Sequence, residues 1–289
     1  MTHHTDPGTI VVGVDGSSGG EAALDWAVDE ASRRHLPLHL VHATNIDYLV
    51  AAAMLNPDDA PDEVDDVVEA ARERVRAAAP ELQVRAEAST GAPAHDLVER
   101  SAGAESVVVG AHGKGPIRGA LGSVSLQVAM HAKSPVVVVR GQEPGVSTGP
   151  VVVGIDGSAL SKEAVGFAIE QASLRGVPLA VVYTWWIEFI EGVVVTTPGS
   201  PQWREVRERQ RLTVGETMAG WQEKYPDVKV EVHIEHGRPA DALVAASERA
   251  SLLVVGARGR GGFGGLLLGS VSHAVLHRAH CPVAVARPR

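Results

Sequence analysis

Two glycine-rich runs carry the residue types best suited to chemistry. One is Gly256-Ala257-Arg258-Gly259-Arg260-Gly261-Gly262-Phe263-Gly264-Gly265, which leads through Leu266 to Leu268 into Gly269-Ser270-Val271-Ser272. The other is Gly110-Ala111-His112-Gly113-Lys114-Gly115, which leads through Arg118 into Gly122-Ser123-Val124-Ser125. Glycine admits positive φ and close backbone approach, and free N–H groups at a helix start point toward an anion. The pattern is a phosphate cradle built from main chain and closed by a serine at the cap of the following helix. Lys114, Arg118, Arg258 and Arg260 stand either as solvated loop charges or as charge-assisted phosphate contacts. Ser123, Ser125, Ser270 and Ser272 could accept a phosphoryl group, but capping and phosphate hydrogen bonding account for them without chemistry.

A carboxylate precedes each loop in the chain. Asp15 and Asp156 each follow a short β-branched run and precede Gly-Ser, which suits a turn; recurrence at a strand's carboxyl end favours ligand contact. No carboxylate or histidine recurs in both loops where it could orient an attacking water, so the residues support binding better than catalysis. Gly259 to Gly264 satisfies the dinucleotide string G-x-G-x-x-G, but it follows a fourth strand and lacks an acidic residue about 20 positions on. The P-loop string is absent. His42 and His112 have no partner at metal-ligand spacing and read as satisfied polar residues. Cys281, the one cysteine, precedes Pro282 at the head of an apolar run and reads as a buried small side chain. A formal charge of −9 disfavours nucleic-acid and anionic-membrane surfaces, so an anionic ligand must be held locally by backbone groups.

The elements that must position these loops occur twice. VVGVDGSSGGEAALDWAVDEASRRHLPLHLVHA from Val11 recurs without a gap as VVGIDGSALSKEAVGFAIEQASLRGVPLAVVYT from Val152. TGAPAHDLV at Thr90 is answered by HGRPADALV at His236, and the run from Val107 by the run from Leu253. A period this long marks a domain duplication, not a solenoid. In the first copy, Thr9 to Val14 predicts a strand and Glu21 to Arg34 a helix with Ala22, Leu24, Trp26, Ala27 and Ala31 at helical spacing. Strands follow over 38–43, 83–88, 106–110 and 135–140, with helices over 62–79, 93–101 and 124–132. Alternating strands and helices require parallel crossovers, so the fold class is α/β: two tandem doubly wound domains, each an open, mostly parallel five-stranded sheet with helices on both faces. Ligands of such sheets sit at the strands' carboxyl ends, where strand order reverses, which is where the glycine loops and aspartates fall.

The expected division is domain 1 over 1–141, a linker over 142–149 within the aperiodic GQEPGVSTG, and domain 2 over 150–289. No apolar run is long enough for a membrane span, and the N-terminus lacks the features of a signal peptide, so a cytoplasmic protein is expected. Pro135 to Arg140 and Pro282 to Arg287 are short apolar strands at a sheet edge; they are expected to pair with each other, and two chains to form a homodimer. Trp185, Trp186, Trp203 and Trp221, in or beside the second copy's variable segment, read as core or interface packing.

The combination of V-G-[VI]-D-G-S near the start of each copy with, late in the second, G-x-x-G-(nine residues)-G-S-V-S resembles the universal stress protein family, in its ATP-binding, tandem, actinobacterial form with an adenine nucleotide alpha hydrolase-like fold. The resemblance covers nearly the whole chain except 45–80 and 186–226. It implies an adenine nucleotide, ATP with Mg2+, lying across the strand ends of each domain. It assigns Gly13 and Asp15, with Gly154 and Asp156, to adenine and ribose. Ala43 and Thr184 match the position whose backbone reads the adenine edge, and Val109 and Val255 the residue against the base. Gly110 and Gly113, with Gly256 and Gly259, match the ribose and phosphate loop. Gly122, Ser123 and Val124, with Gly269, Ser270 and Val271, match the phosphate-cradling helix start.

One departure separates the copies. Eight residues lie between Gly113 and Gly122, against nine between Gly259 and Gly269, and Pro116 removes a backbone donor from the shorter loop. The second site is therefore expected to bind at least as tightly as the first. Three functions compete: an ATP-dependent stress-response sensor or regulator acting through protein partners, a slow ATPase or autophosphorylating enzyme using Ser123 or Ser270, and a scaffold with vestigial sites. Magnesium would accompany a triphosphate, but no carboxylate pair marks its seat.

Overall fold

The computed structural model describes residues 6–44, 62–113, 121–140, 148–186, 189–190, 193–194, 197–260 and 267–288. Lys114, Gly115, Pro116, Arg118, Gly261 and Gly262 lie outside the described residues. The chain divides into two compact units, Met1–Gly141 and Gln142–Pro288.

In the first unit the order is β1 (Ile10–Gly13), α1 (Ser18–Arg34), β2 (Leu38–Thr44), α2 (Asp62–Ala78), β3 (Val84–Thr90), α3 (Pro93–Arg100), β4 (Ser106–Gly110), α4 (Ser123–His131) and β5 (Val136–Val139). The strands form one parallel sheet in the order β5-β4-β1-β2-β3. Chain order reverses between β1 and β4. β1, β4 and β5 are almost wholly buried, as expected for strands covered on both faces. α1 begins three residues before the periodicity places it, because Ser17 accepts a hydrogen bond from the Gly20 N–H and extends the helix over its two glycines. Its core stripe is Ala23, Leu24, Ala27, Val28 and Ala31.

The second unit repeats this plan. β6 (Val151–Ile155), α5 (Ala159–Arg175) and β7 (Leu179–Trp185) are followed by a short antiparallel pair, β8 (Phe189–Ile190) and β9 (Val193–Val194). Then come α6 (Pro201–Met218), α7 (Trp221–Lys224), β10 (Val230–His236), α8 (Pro239–Ser247), β11 (Leu252–Gly256), α9 (Ser270–Arg278) and β12 (Val283–Ala286). Sheet order is β10-β7-β6-β11-β12, again parallel, with the reversal between β6 and β11. Cys281 is fully buried. Trp185 is buried and meets Trp203 at 4.6 Å between ring centroids, whereas Trp186 is half exposed. Among the described residues, no helix is long and apolar enough to cross a membrane.

Candidate functional site

Each unit has a cavity at the carboxyl edge of its sheet, at the switch between its first and fourth strands, where a doubly wound sheet binds ligands. The cavities measure about 450 Å³ and 430 Å³. Their walls are built by three successive devices.

The first is the turn after the opening strand. Gly16 and Gly157 adopt φ of 69° and 77°, a left-handed conformation that a side chain would strain. The turn brings Asp15 and Asp156 to the cavity wall. Asp15 Oδ1 accepts from the Ser17 N–H at 3.0 Å and the Ser17 hydroxyl at 2.5 Å. The cap of α1 is Ser17, so Asp15 is both a turn residue and a lining residue. Among the described residues, Asp156 accepts one bond more. Its Oδ1 accepts from the Ser158 N–H at 2.9 Å and the Ser161 hydroxyl at 2.5 Å, and its Oδ2 from the Arg260 N–H at 2.6 Å. Burial pushes the Asp156 carboxyl upward, but the bonds from Ser161, Ser158 and the Arg260 N–H outweigh it and leave the group below its ordinary range.

The second device is the close passage of the fourth strand's end against the first helix. A Cβ on Gly110 would lie 2.5 Å from the backbone carbon and oxygen of Gly19, so only glycine allows β4 to end there. Gly256 is looser, its nearest such contact being the Leu160 carbonyl at 3.2 Å.

The third device is the helix start. The Gly122 and Gly269 N–H groups donate to the carbonyls of Ala111 and Ala257 at 2.7 and 2.8 Å, folding each loop back on itself. These glycines, not the serines, are the N-caps of α4 and α9, and neither helix has a side-chain cap. This corrects the sequence expectation: Ser123 and Ser270 are the first helical residues, because the glycine already occupies the extended cap conformation. An uncapped start leaves first-turn N–H donors for a ligand, in a positive dipole field. Ser125 and Ser272 are committed elsewhere: their hydroxyls donate to the carbonyls of Gly110 and Gly256 at 2.5 and 2.7 Å, latching helix to strand.

Of the residues singled out from sequence, the first cavity gathers Gly13, Asp15, Ala43, Val109, Gly110, His112, Gly113, Gly122, Ser123, Val124 and Ser125. The second gathers Gly154, Asp156, Thr184, Val255, Gly256, Arg258, Gly259, Arg260, Gly269, Ser270, Val271 and Ser272. Ala111 and Ala257 do not line either; both are buried and act through their carbonyls. His42 is a satisfied polar residue, with Nδ1 2.6 Å from the Val14 carbonyl. Among the described residues, no three candidate ligands gather to hold a metal.

Sequence reasoning missed the apolar wall. Pro93 and Leu97 of α3, and Pro239 and Leu243 of α8, close each cavity opposite the aspartate. Leu97 and Leu243 approach so near to Gly13 and Gly154 that a Cβ there would stand 3.0 and 2.7 Å away. The signal was the repeated G-x-P-A-x-x-L motif, which looks like ordinary helix core until the sheet order is known. α3 is fixed by buried charge. Arg100 Nη2 meets Glu87 Oε1 at 2.9 Å and its Nε meets Asp96 Oδ1 at 3.1 Å, while Ser89 donates to Asp96 at 2.6 Å. In α8 the corresponding stretch is Ala242 to Ala246, with Arg278 and Asp241 paired at the surface at 2.9 Å.

Two parallel α/β units, each with an aspartate, a glycine passage and an uncapped helix around one cavity, define a tandem chain built on a single repeated site. The chain belongs to the universal stress protein family, whose model matches residues 8–140 and again 148–287. It is similar to a universal stress protein of Mycobacterium tuberculosis, 42% identical over 290 residues and 96% of each chain. A universal stress protein of Mycolicibacterium smegmatis is 39% identical over 297 residues, 97% of each. The solved structure of a universal stress protein from Archaeoglobus fulgidus shares the fold, with a TM-score of 0.62 at 20% identity, covering 96% of this chain and 98% of the other.

Proposed function

We propose that each unit binds an adenine nucleotide, ATP with Mg2+, and that the chain is a nucleotide-dependent regulator of a cytoplasmic stress response acting through protein partners. The observation that carries this reading is the twice-built helix start: Gly122 and Gly269 leave the first turns of α4 and α9 without side-chain caps, facing cavities sized for a nucleotide. The residues fit the ligand at both ends. Val109 and Leu97, or Val255 and Leu243, offer an apolar slot for a planar base, with Ala43 or Thr184 at its rim. The carboxylates of Asp15 and Asp156 suit ribose hydroxyls, and the backbone of Gly122 to Val124 and Gly269 to Val271 suits phosphate oxygens. Arg258 and Arg260 add positive charge to the second site. Bound ATP supplies a polyanion and a flat base, and the chain's residues hold it without a bond being made or broken.

Mass spectrometry of small molecules released on denaturing the purified chain should find an adenine nucleotide. ATP with magnesium at a hundredfold excess over Kd should stabilise each unit by about 2.7 kcal/mol, a shift of several degrees in Tm. No released nucleotide together with no thermal shift would overturn the reading.

A further inference from the structure

A third cavity, of about 430 Å³, lies in the second unit between α6 and the edge strand β10, away from the candidate nucleotide site. One face of α6 lines it, with Arg207, Arg211, Gly215 and Met218 at helical spacing; Val232 and Ile234 line it from the strand. α6 is anchored to the sheet elsewhere, through the buried Tyr183–Gln210 hydrogen bond of 2.5 Å and through Val206.

Three features mark the groove as built. Val232 is 47% exposed although it belongs to the sheet face that a helix should cover. Gly215 sits inside α6, where glycine costs roughly 1 kcal/mol relative to alanine. A Cβ there would meet nothing within 4 Å, so close packing does not require it; its effect is to keep the groove open. The first unit solves the same place differently. By strand register, Ala86 and Ala88 stand where Val232 and Ile234 stand, and α2 seats buried Val68, Ala71 and Val75. The second unit has larger apolar strand residues and yet a more open space beside them.

The charge is specific too. In a chain of net charge −9, the groove is lined by two guanidinium groups and no carboxylate; Glu231 and Glu235 alternate onto the opposite strand face. Arg207 makes no ion pair among the described residues, and Arg211 has only an exposed contact with Glu208 at 3.6 Å. An apolar floor and a paired cationic rim match an apolar chain ending in an anion.

We propose that this groove binds a free medium-chain carboxylic acid, its alkyl chain along Gly215, Met218, Val232 and Ile234 and its carboxylate on Arg207 and Arg211. The test uses the full chain and dodecanoate below its micelle concentration, measured by calorimetry and by displacement of cis-parinaric acid. Saturable binding of one dodecanoate per chain is expected. Gly215→Leu should abolish it while keeping the fold, since leucine is the better helix former and open space surrounds the site. Arg207→Gln and Arg211→Gln should each weaken it by about tenfold, the loss expected of one charge-assisted hydrogen bond. ATP binding should persist in all three variants. No saturable binding, or equal binding by Gly215→Leu, overturns the proposal. So does a sedimentation shift in Gly215→Leu when the unaltered chain binds no dodecanoate, which would make the groove a seat for a second chain.

Discussion

The two cavities share backbone and differ in the side chains that support it. In both, a left-handed glycine turns the chain after the opening strand, a glycine N-cap opens the last helix, and a serine latches that helix to the fourth strand. Around this frame the units diverge. Asp15 accepts its backbone and hydroxyl bonds from one residue, Ser17, whereas Asp156 accepts the backbone bond from Ser158 and the hydroxyl bond from Ser161. α3 is tied to its sheet by buried charge, and α8 carries alanines at those places. Duplication has kept what the main chain does and let the side-chain shell drift, as expected of a site that works through amides and close approach.

The largest effect should come from the charged anchor of the first unit. Arg100 is wholly buried, and its removal leaves Glu87 and Asp96 without their shared cation. Arg100→Ala should cost about 3–5 kcal/mol, seen as lost hydrogen-exchange protection in β3 and α3 with the second unit unchanged. The same cluster should make the first unit the acid-labile one. Burial lowers the His39 pKa below 6.5, aided by the charges of Arg100 and Arg85. Its contribution is therefore present above pH 6.5 and eroded as pH falls from there. Burial raises the Glu87 carboxyl, but Arg100's hydrogen bond and charge prevail and hold it below 4.5, so its share is lost further into acid. His39→Gln should flatten the upper part of that slope. If both units lose protection together between pH 6.5 and 4.5, the contrast fails.

Next in size is the helix start. Aspartate at position 122 or 269 faces the proposed phosphates, a like-charge contact costing about 3 kcal/mol, or roughly a hundredfold in Kd. Calorimetry should show that Gly269→Asp removes the tighter class of site and Gly122→Asp the weaker, since Arg258 lines the second cavity at the place where the first presents His112. Loss of the tighter class only in Gly122→Asp would reverse the ranking.

Much of this was legible in the sequence. Strand and helix order in the first unit, the five-stranded parallel sheets and the placement of the loops follow from β-branched runs alternating with helical periodicity. The glycine loops and Asp15 announced themselves by recurring at strand ends. What escaped depended on three dimensions. Leu97 and Leu243 look like core because a helix's inner face is apolar whether it meets a sheet or a ligand. Ser123 and Ser270 look like caps because glycine's extended cap conformation has no side-chain signature. The α6 groove arises from where a helix does not pack, which periodicity cannot report.

A smaller contrast lies in the glycine passage. Gly110→Ala places a Cβ 2.5 Å from rigid backbone and should destabilise the first unit by about 1–3 kcal/mol. Gly256→Ala meets its nearest neighbour at 3.2 Å and should cost less than about 1 kcal/mol. Unit-resolved exchange separates the two, and equal losses would mean that the fourth strands are equally confined.

The smallest effect sharpens the comparison most, because it concerns a single hydroxyl. Ser161 donates to Asp156 Oδ1 at 2.5 Å and accepts from the Asp156 N–H at 2.9 Å; its counterpart in the repeat is Gly20. Ser161→Ala should cost about 1 kcal/mol and raise the Asp156 pKa toward 3.8. Because that pKa is depressed in the fold, the carboxylate's stabilisation is present above 3.8 and lost as pH falls, and the variant should show less of it. The reverse exchange should not succeed. A Cβ on Gly20 would collide with Asp15 Oδ1, so Gly20→Ser must turn the carboxylate before the new hydroxyl can reach it. The first unit should lose stability in Gly20→Ser and gain none of the acid dependence that Ser161 gives the second. Should Gly20→Ser instead stabilise the first unit, the two aspartates are interchangeable and their different settings are neutral drift.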